Sequence, residues 1–159
     1  MTSLEDLGLA VKRLQWHHHR EANSRLSRTV GLSLVQWDVL RHLAQLPDAS
    51  LHDLAVLTFQ TDQSMGELAK RMVDRELLER IPGPGRAVRH RLTDAGETAR
   101  EEGAAMMEDV FAETLGVLSP RERDTLYDLL DRAGRAGHRH PVPHGPHESE
   151  PRATFGSAR

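Results

Sequence analysis

Apolar residues recur along this chain at helical spacing almost from its first residue. Leu4, Leu7, Val11, Leu14, His18, Ala22 and Leu26 follow one another at alternating steps of three and four. This predicts a long amphipathic helix over 3–28, with a seam narrow enough to pack on another helix. A lone helix of that length needs a partner, either the body of the domain or a second subunit. Gly31 ends it, and Ser33 caps a second helix over 33–46 with Leu34, Trp37, Leu40, Leu43 and Ala44 turned inward. Ser50 and Asp53 frame a short third helix over 50–57, whose apolar stripe is Leu51, Leu54 and Ala55.

After a turn through Thr58, Phe59 and Gln60, a fourth helix opens near Thr61. Met65, Leu68, Ala69 and Met72 fall at i, i+3, i+4 and i+7 and form its buried stripe. The opposite face is centred on Gln63, Glu67, Lys70 and Asp74, with Ser64 and Arg71 at its edge. The pattern then changes. Leu77 to Ile81 is a short, mostly apolar run, Pro82-Gly83-Pro84-Gly85 is a turn, and Arg86 to Leu92 alternates. In that second arm Val88, His90 and Leu92 point one way, and Arg89 and Arg91 the other. Two short helices with a tight joint, followed by a basic-tipped hairpin, are the order of a winged helix-turn-helix.

Beyond the hairpin, Thr93 caps a fifth helix reaching Gly116, with Ala95, Ala99, Met106, Val110, Phe111 and Leu115 on its apolar side. Gly103 and the two methionines leave its middle loosely specified. Ser119-Pro120-Arg121-Glu122 places a serine cap, a proline at the first position and a glutamate at the third. The last helix continues through Leu126, Leu129, Leu130 and Ala133. From Gly137 onward, four prolines, four histidines and three glycines fall in 23 residues without an apolar period, which predicts a disordered tail.

Charge changes the picture locally. The whole chain carries a net charge of -3, which by itself points away from nucleic acid. Between Arg80 and Arg91, however, stand four arginines, one histidine and no acid. Screening confines charge interactions to about 10 Å at 0.1 M salt, so a local field is what binds phosphate. Gln63, Ser64, Glu67, Lys70 and Arg71 on the fourth helix are therefore the expected base-reading surface of a DNA-binding lobe. Arg86, Arg89 and Arg91 are the expected phosphate contacts.

The rest of the composition excludes more than it suggests. Aromatics make up only 4%, so the core must be aliphatic. The absence of cysteine rules out a disulfide, a thiolate metal site and a thiol redox switch. No apolar run approaches the roughly 18 residues of a membrane span, and no signal-peptide core is present, so a cytoplasmic protein without membrane contact is expected. No catalytic spacing or phosphate-binding loop can be found, so neither enzymatic activity nor a cofactor is expected. In Trp16-His17-His18-His19-Arg20, three consecutive histidines on a helix point about 100° apart and cannot share one metal. His17 with Glu21 supplies at most half a site. The tail histidines His138, His140, His144 and His147 read as polar disorder, with loose metal scavenging as the alternative.

From about Leu14 to Ala133 the chain resembles the MarR family of winged helix-turn-helix transcription regulators. The resemblance rests on GLSLVQWDVLRHL (31–43), KRMVDRELLER (70–80) and RLTDAG (91–96), and on the order of the elements. It implies a mainly α fold: three helices and a β-hairpin wing, flanked by long N- and C-terminal dimerisation helices. The implied division is 1–30, an N-terminal dimerisation helix; 31–93, the DNA-binding lobe; 94–136, C-terminal dimerisation helices; and 137–159, the tail. It further implies a homodimer on a pseudo-palindromic double-stranded operator, most simply a repressor released by a small-molecule effector. In resembling proteins a ligand crevice lies between the lobe and the dimer helices, which makes Trp16, His18 and Trp37 candidates for its wall. Two departures bear on base reading. Pro84 stands where the family often has an Asp two residues before the wing arginine, and Gly66-Glu67 stand where a Thr-Arg pair is common. The family's base contacts therefore do not carry over. Two other readings stay open: a winged-helix module that binds protein, and a histidine-based metal sensor.

Overall fold

The structure is a computed structural model that describes residues 1–137 except Arg86. Apart from Gly137, which ends the last helix, the predicted tail lies outside the described residues. The chain divides into two compact units, Met1–Val117 and the segment from Leu118 onward. The first contains α1 (Leu4–Thr29), α2 (Leu34–Gln45), α3 (Leu51–Leu57), α4 (Asp62–Asp74), β1 (Leu78–Pro82), β2 (Val88–Leu92) and α5 (Asp94–Leu115). The second contains α6 (Pro120–Gly137).

Hydroxyl side chains set the helix starts. Ser3, Ser33, Ser50, Thr61 and Thr93 each accept a hydrogen bond from the backbone N–H three residues on. In α1, α2 and α3 the third residue returns the bond to the cap's own N–H. Ser119 and Glu122 do the same for α6, with the Ser119 N–H 2.8 Å from the Glu122 carboxylate. Each such cap satisfies donors that would otherwise face solvent or a neighbour unpaired.

The core of the first unit gathers Leu26, Leu32, Val39, Leu40, Leu54, Met65, Met72 and Leu78. The stripe Met65, Leu68, Ala69 and Met72 is wholly buried, as its spacing predicts. Three inward assignments are corrected. Ala44 is exposed and Val39 takes the inner position, because the inward face of α2 is centred one residue away from the predicted row. Ala95 is exposed, and its neighbour Gly96 is the residue in contact: a Cβ there would lie 2.1 Å from the Leu77 carbonyl oxygen. Phe111 is 40% exposed, while Met107 packs inside.

Gly103 is the largest correction. Its Cβ would lie 2.2 Å from Cδ1 of Trp37, so this glycine is a socket for the indole and not a loosely specified position. The Trp37 Nε1–H completes the joint by donating to the Arg100 carbonyl at 3.0 Å.

The strands pair antiparallel, with Leu78 opposite Leu92, Glu79 opposite Arg91, Arg80 opposite His90, Ile81 opposite Arg89 and Pro82 opposite Val88. Val88, His90 and Leu92 share a face, but Val88 near the tip is half exposed while His90 is buried. Burial, and then the positive charge of Arg80 across the ladder, hold the His90 imidazole below its usual pKa. Burial also lowers His18, beside His17, and His42, beside Arg41. A histidine lowered in the folded state is protonated first in the unfolded chain, so acid draws the equilibrium toward unfolding. Stability to denaturant should therefore be level above about pH 7.5 and fall as pH drops through about 6.5, the unfolded value. His90→Leu should flatten that fall; an unchanged pH profile for H90L would count against His90 as a source of it.

Candidate nucleic-acid interface

The buried stripe of α4 decides what its other side presents. Gln63, Ser64, Glu67, Lys70, Arg71 and Asp74 are all exposed, on the face predicted for them. Ser64 belongs to the helix start, since its N–H donates to Thr61 Oγ1 at 3.1 Å and its hydroxyl accepts from the Thr61 hydroxyl at 2.9 Å. Gln63 and Glu67 stand one turn apart, with Gln63 Nε2 donating to Glu67 Oε1 at 3.5 Å, a long and weak bond. Among the described residues, no cation lies within 4 Å of the Glu67 carboxylate, and no acid within 4 Å of Lys70, Arg71, Arg80 or Arg89. Those side chains are free to meet an external partner.

The acid at the start of α4 has a neighbour across the turn. Asp62 Oδ1 lies 2.9 Å from His52 Nδ1, which crosses from the first turn of α3. Neither residue was singled out from the sequence. The signal was present only as a histidine two residues after a cap, ten residues before an acid, and helix–helix geometry is needed to make it a pair.

The wing separates its arginines. Arg91 is already engaged, with its Nε 2.5 Å from Glu79 Oε1 in the cross-strand pair that the register dictates. Glu79 lies just outside the acid-free run, which is why counting charges from Arg80 missed it. Arg89 is half buried, with its stem against Gly83 in the turn. Its charge also reaches Asp53 on α3. The Asp53 carboxyl is lowered first by the Ser50 hydroxyl and backbone, and to a smaller degree by His52 and Arg89. Arg86 lies outside the described residues.

The three candidate effector residues are not brought together. Trp16 is 57% exposed, with the Arg20 guanidinium 4.8 Å from its ring centre. Trp37 is in the core against Arg100 and Gly103. His18 is half buried, its Nε2 2.5 Å from Thr114 Oγ1 and its ring edge-on to Phe111 at 5.1 Å. Gly103 and Thr114 are eleven residues apart on α5, or about 16 Å at 1.5 Å per residue. Among the described residues no group of three or more histidines or acids could hold a metal. Among them, too, no helix is long and apolar enough to cross a membrane.

Two short helices joined by a tight turn, the second exposing a polar face, then a hairpin, define a winged helix-turn-helix protein. Residues 30–87 match the MarR family. The chain also superposes on solved structures of that fold. A mutant of Escherichia coli MarR complexed with operator DNA is 22% identical, with a TM-score of 0.71 over 83% of this chain and 99% of that one. Mycobacterium tuberculosis MarR family protein Rv2887, complexed with p-aminosalicylic acid, is 23% identical, with a TM-score of 0.67 over 80% and 98%. A probable transcriptional regulator from Pseudomonas aeruginosa is 26% identical, with a TM-score of 0.68 over 82% and 99%. Among curated proteins no sequence matches it. Residues 30–87 are thus similar in sequence to the MarR family, and the chain shares the winged-helix fold of these solved structures.

The ion pair within the wing separates its cations experimentally. Arg89→Ala should weaken binding to all DNA sequences alike and flatten the slope of log affinity against log salt by about 0.9. Arg91→Ala should change that slope less, because Glu79 already neutralises much of its charge. Equal slopes for the two variants would contradict this ranking.

Proposed function

We propose that this chain is a homodimeric, sequence-specific DNA-binding transcription regulator whose hold on a pseudo-palindromic operator is released by a small-molecule effector. The observation that carries this reading is the exposed polar row on α4, without ion pairs among the described residues, beside a basic hairpin. The operator complex of the Escherichia coli relative and the p-aminosalicylic acid complex of the mycobacterial one support its two halves. The helix reads bases in a major groove, and the wing arginines Arg86 and Arg89 hold the neighbouring phosphates. Nothing catalytic is assigned to it, and its place is the cytoplasm, with the DNA.

The dimer is argued from surface left uncovered. Leu4 is 89% exposed on α1, and Leu7 and Val11 follow it along the same seam. On α6, Tyr127, Leu129 and Leu130 are exposed as well. A second copy would bury these stripes and set the spacing of two recognition helices. An effector then acts only if it binds the incompetent spacing more tightly than the competent one. His18 with Thr114 and Phe111, on the α1–α5 side, is the best placed of the candidate contacts; Trp16 and Trp37 would need the second copy or a rearrangement to join it. Sedimentation at micromolar concentration should give a dimer; a well-folded monomer would sink this assembly.

Glu67 supplies the test of sequence reading. An acid facing a phosphate lattice is repelled, and no ion pair with Lys70 or Arg71 accounts for it here. In the groove it can accept from cytosine N4, while Gln63, one turn earlier, pairs with adenine. Glu67→Gln should therefore lower operator affinity relative to random DNA by about 1–3 kcal/mol, at one base pair per half-site. If the variant instead binds operator and random DNA equally more tightly, Glu67 reads nothing.

A further inference from the structure

The turn between α3 and α4 ends in a residue that the fold itself does not use. Gln60 N–H donates to the Ala55 carbonyl at 2.8 Å, and Phe59 N–H to the Val56 carbonyl at 3.3 Å. These are the two bonds of a Schellman closure, and they place Phe59 at the left-handed position, with φ at 57°. Glycine is the favoured residue there, because a Cβ is crowded by the backbone. Here the position holds a phenylalanine that is 93% exposed, with no ring contact among the described residues. Backbone strain and a solvated aromatic ring both count against the folded state. Glu76 takes the same conformation where α4 ends, but it is polar, and its carbonyl accepts from the Thr93 hydroxyl at 2.5 Å. Nothing comparable compensates Phe59.

Its place in the chain says what would cover it. Phe59 stands two residues before Thr61, the cap of α4, and so within about 7 Å of chain from the end of the helix that presents Gln63 and Glu67. Exposed Val56 extends the apolar surface on the α3 side. The acid nearest in sequence, Asp62, is exposed and lies within hydrogen-bond reach of His52 across the turn. A ring at the rim of a base-reading surface can meet only one apolar group in a major groove, the 5-methyl of thymine.

We propose that Phe59 is a specificity-determining DNA contact that packs its ring on the methyl of one thymine per half-site. This rests on the DNA-binding reading above. The ring adds apolar recognition at the rim of the site.

The test uses the full chain and a duplex that the wild-type protein enriches from a random pool. Phe59→Ala and Phe59→Gly should each bind that duplex about tenfold more weakly. Their slope against salt should stay unchanged, since no phosphate contact is lost. Replacing thymines by uracil one at a time removes single methyl groups. One such replacement should cost the wild type a similar factor and cost the variants nothing further. Phe59→Gly should also melt about 2–4 °C higher than wild type, because glycine relieves the strained turn, so its weaker binding cannot be unfolding. A wild-type protein that enriches no duplex overturns both the contact and the DNA-binding reading. An enriched duplex that the variants bind as tightly as wild type, or one on which every uracil costs wild type and variants alike, overturns the thymine contact alone.

Discussion

The rotation of α4 about its own axis is the constraint on which the rest depends. Met65, Leu68, Ala69 and Met72 are buried together, and the three large side chains are each worth roughly 1.5–3 kcal/mol in burial. Charge pairs along an exposed helix face are worth about 0.2–0.5 kcal/mol. Packing therefore sets the orientation, and the polar face follows from it whatever its charges prefer. Glu67 can stay unpaired on that face because the helix does not need it for stability.

A second joint ties the lobe to the long helices around it. Trp37 on α2 fits into α5 only because residue 103 has no side chain, and its indole N–H then binds the Arg100 carbonyl. The same helix holds His18 of α1 through Thr114, so α5 touches both the body of the lobe and the N-terminal helix. A displacement along α5 would be felt at both places. That is the kind of mechanical continuity a regulator needs if a ligand near the long helices is to alter the recognition helix.

The interface itself is where local preferences are overruled. Phe59 and Glu76 occupy left-handed positions that favour glycine, one on each side of α4. Asp62 sits where α4 begins, within hydrogen-bond reach of His52, and Arg91 is answered by Glu79. Among the described residues, both non-glycine residues in the left-handed region flank α4, and one of them carries an exposed aromatic ring. Conflict between local and global preference concentrated in one region is what a binding surface looks like before its partner arrives.

Much of this was legible from order along the chain. Helix starts depend on a hydroxyl and the N–H three residues later, so Ser33, Ser50, Thr93 and Ser119 announced themselves locally. The stripe of α4 was equally clear, because a period of 3.6 within a dozen residues needs no knowledge of what packs on it. What stayed hidden were relations between distant residues. Nothing near Gly103 says that an indole 66 positions earlier needs the space, and nothing near Arg91 names Glu79 as its partner until the strand register is set. The candidate wall of Trp16, His18 and Trp37 dispersed for the same reason: all three lie on apolar-looking helices, but only the packing assigns each to a side. Sequence by itself determined the elements, their order and the face α4 turns outward, because those depend on neighbours a few residues apart. Tertiary structure alone decided which charges remain free and which side chains meet, since those depend on contacts across the fold whose geometry no local period encodes.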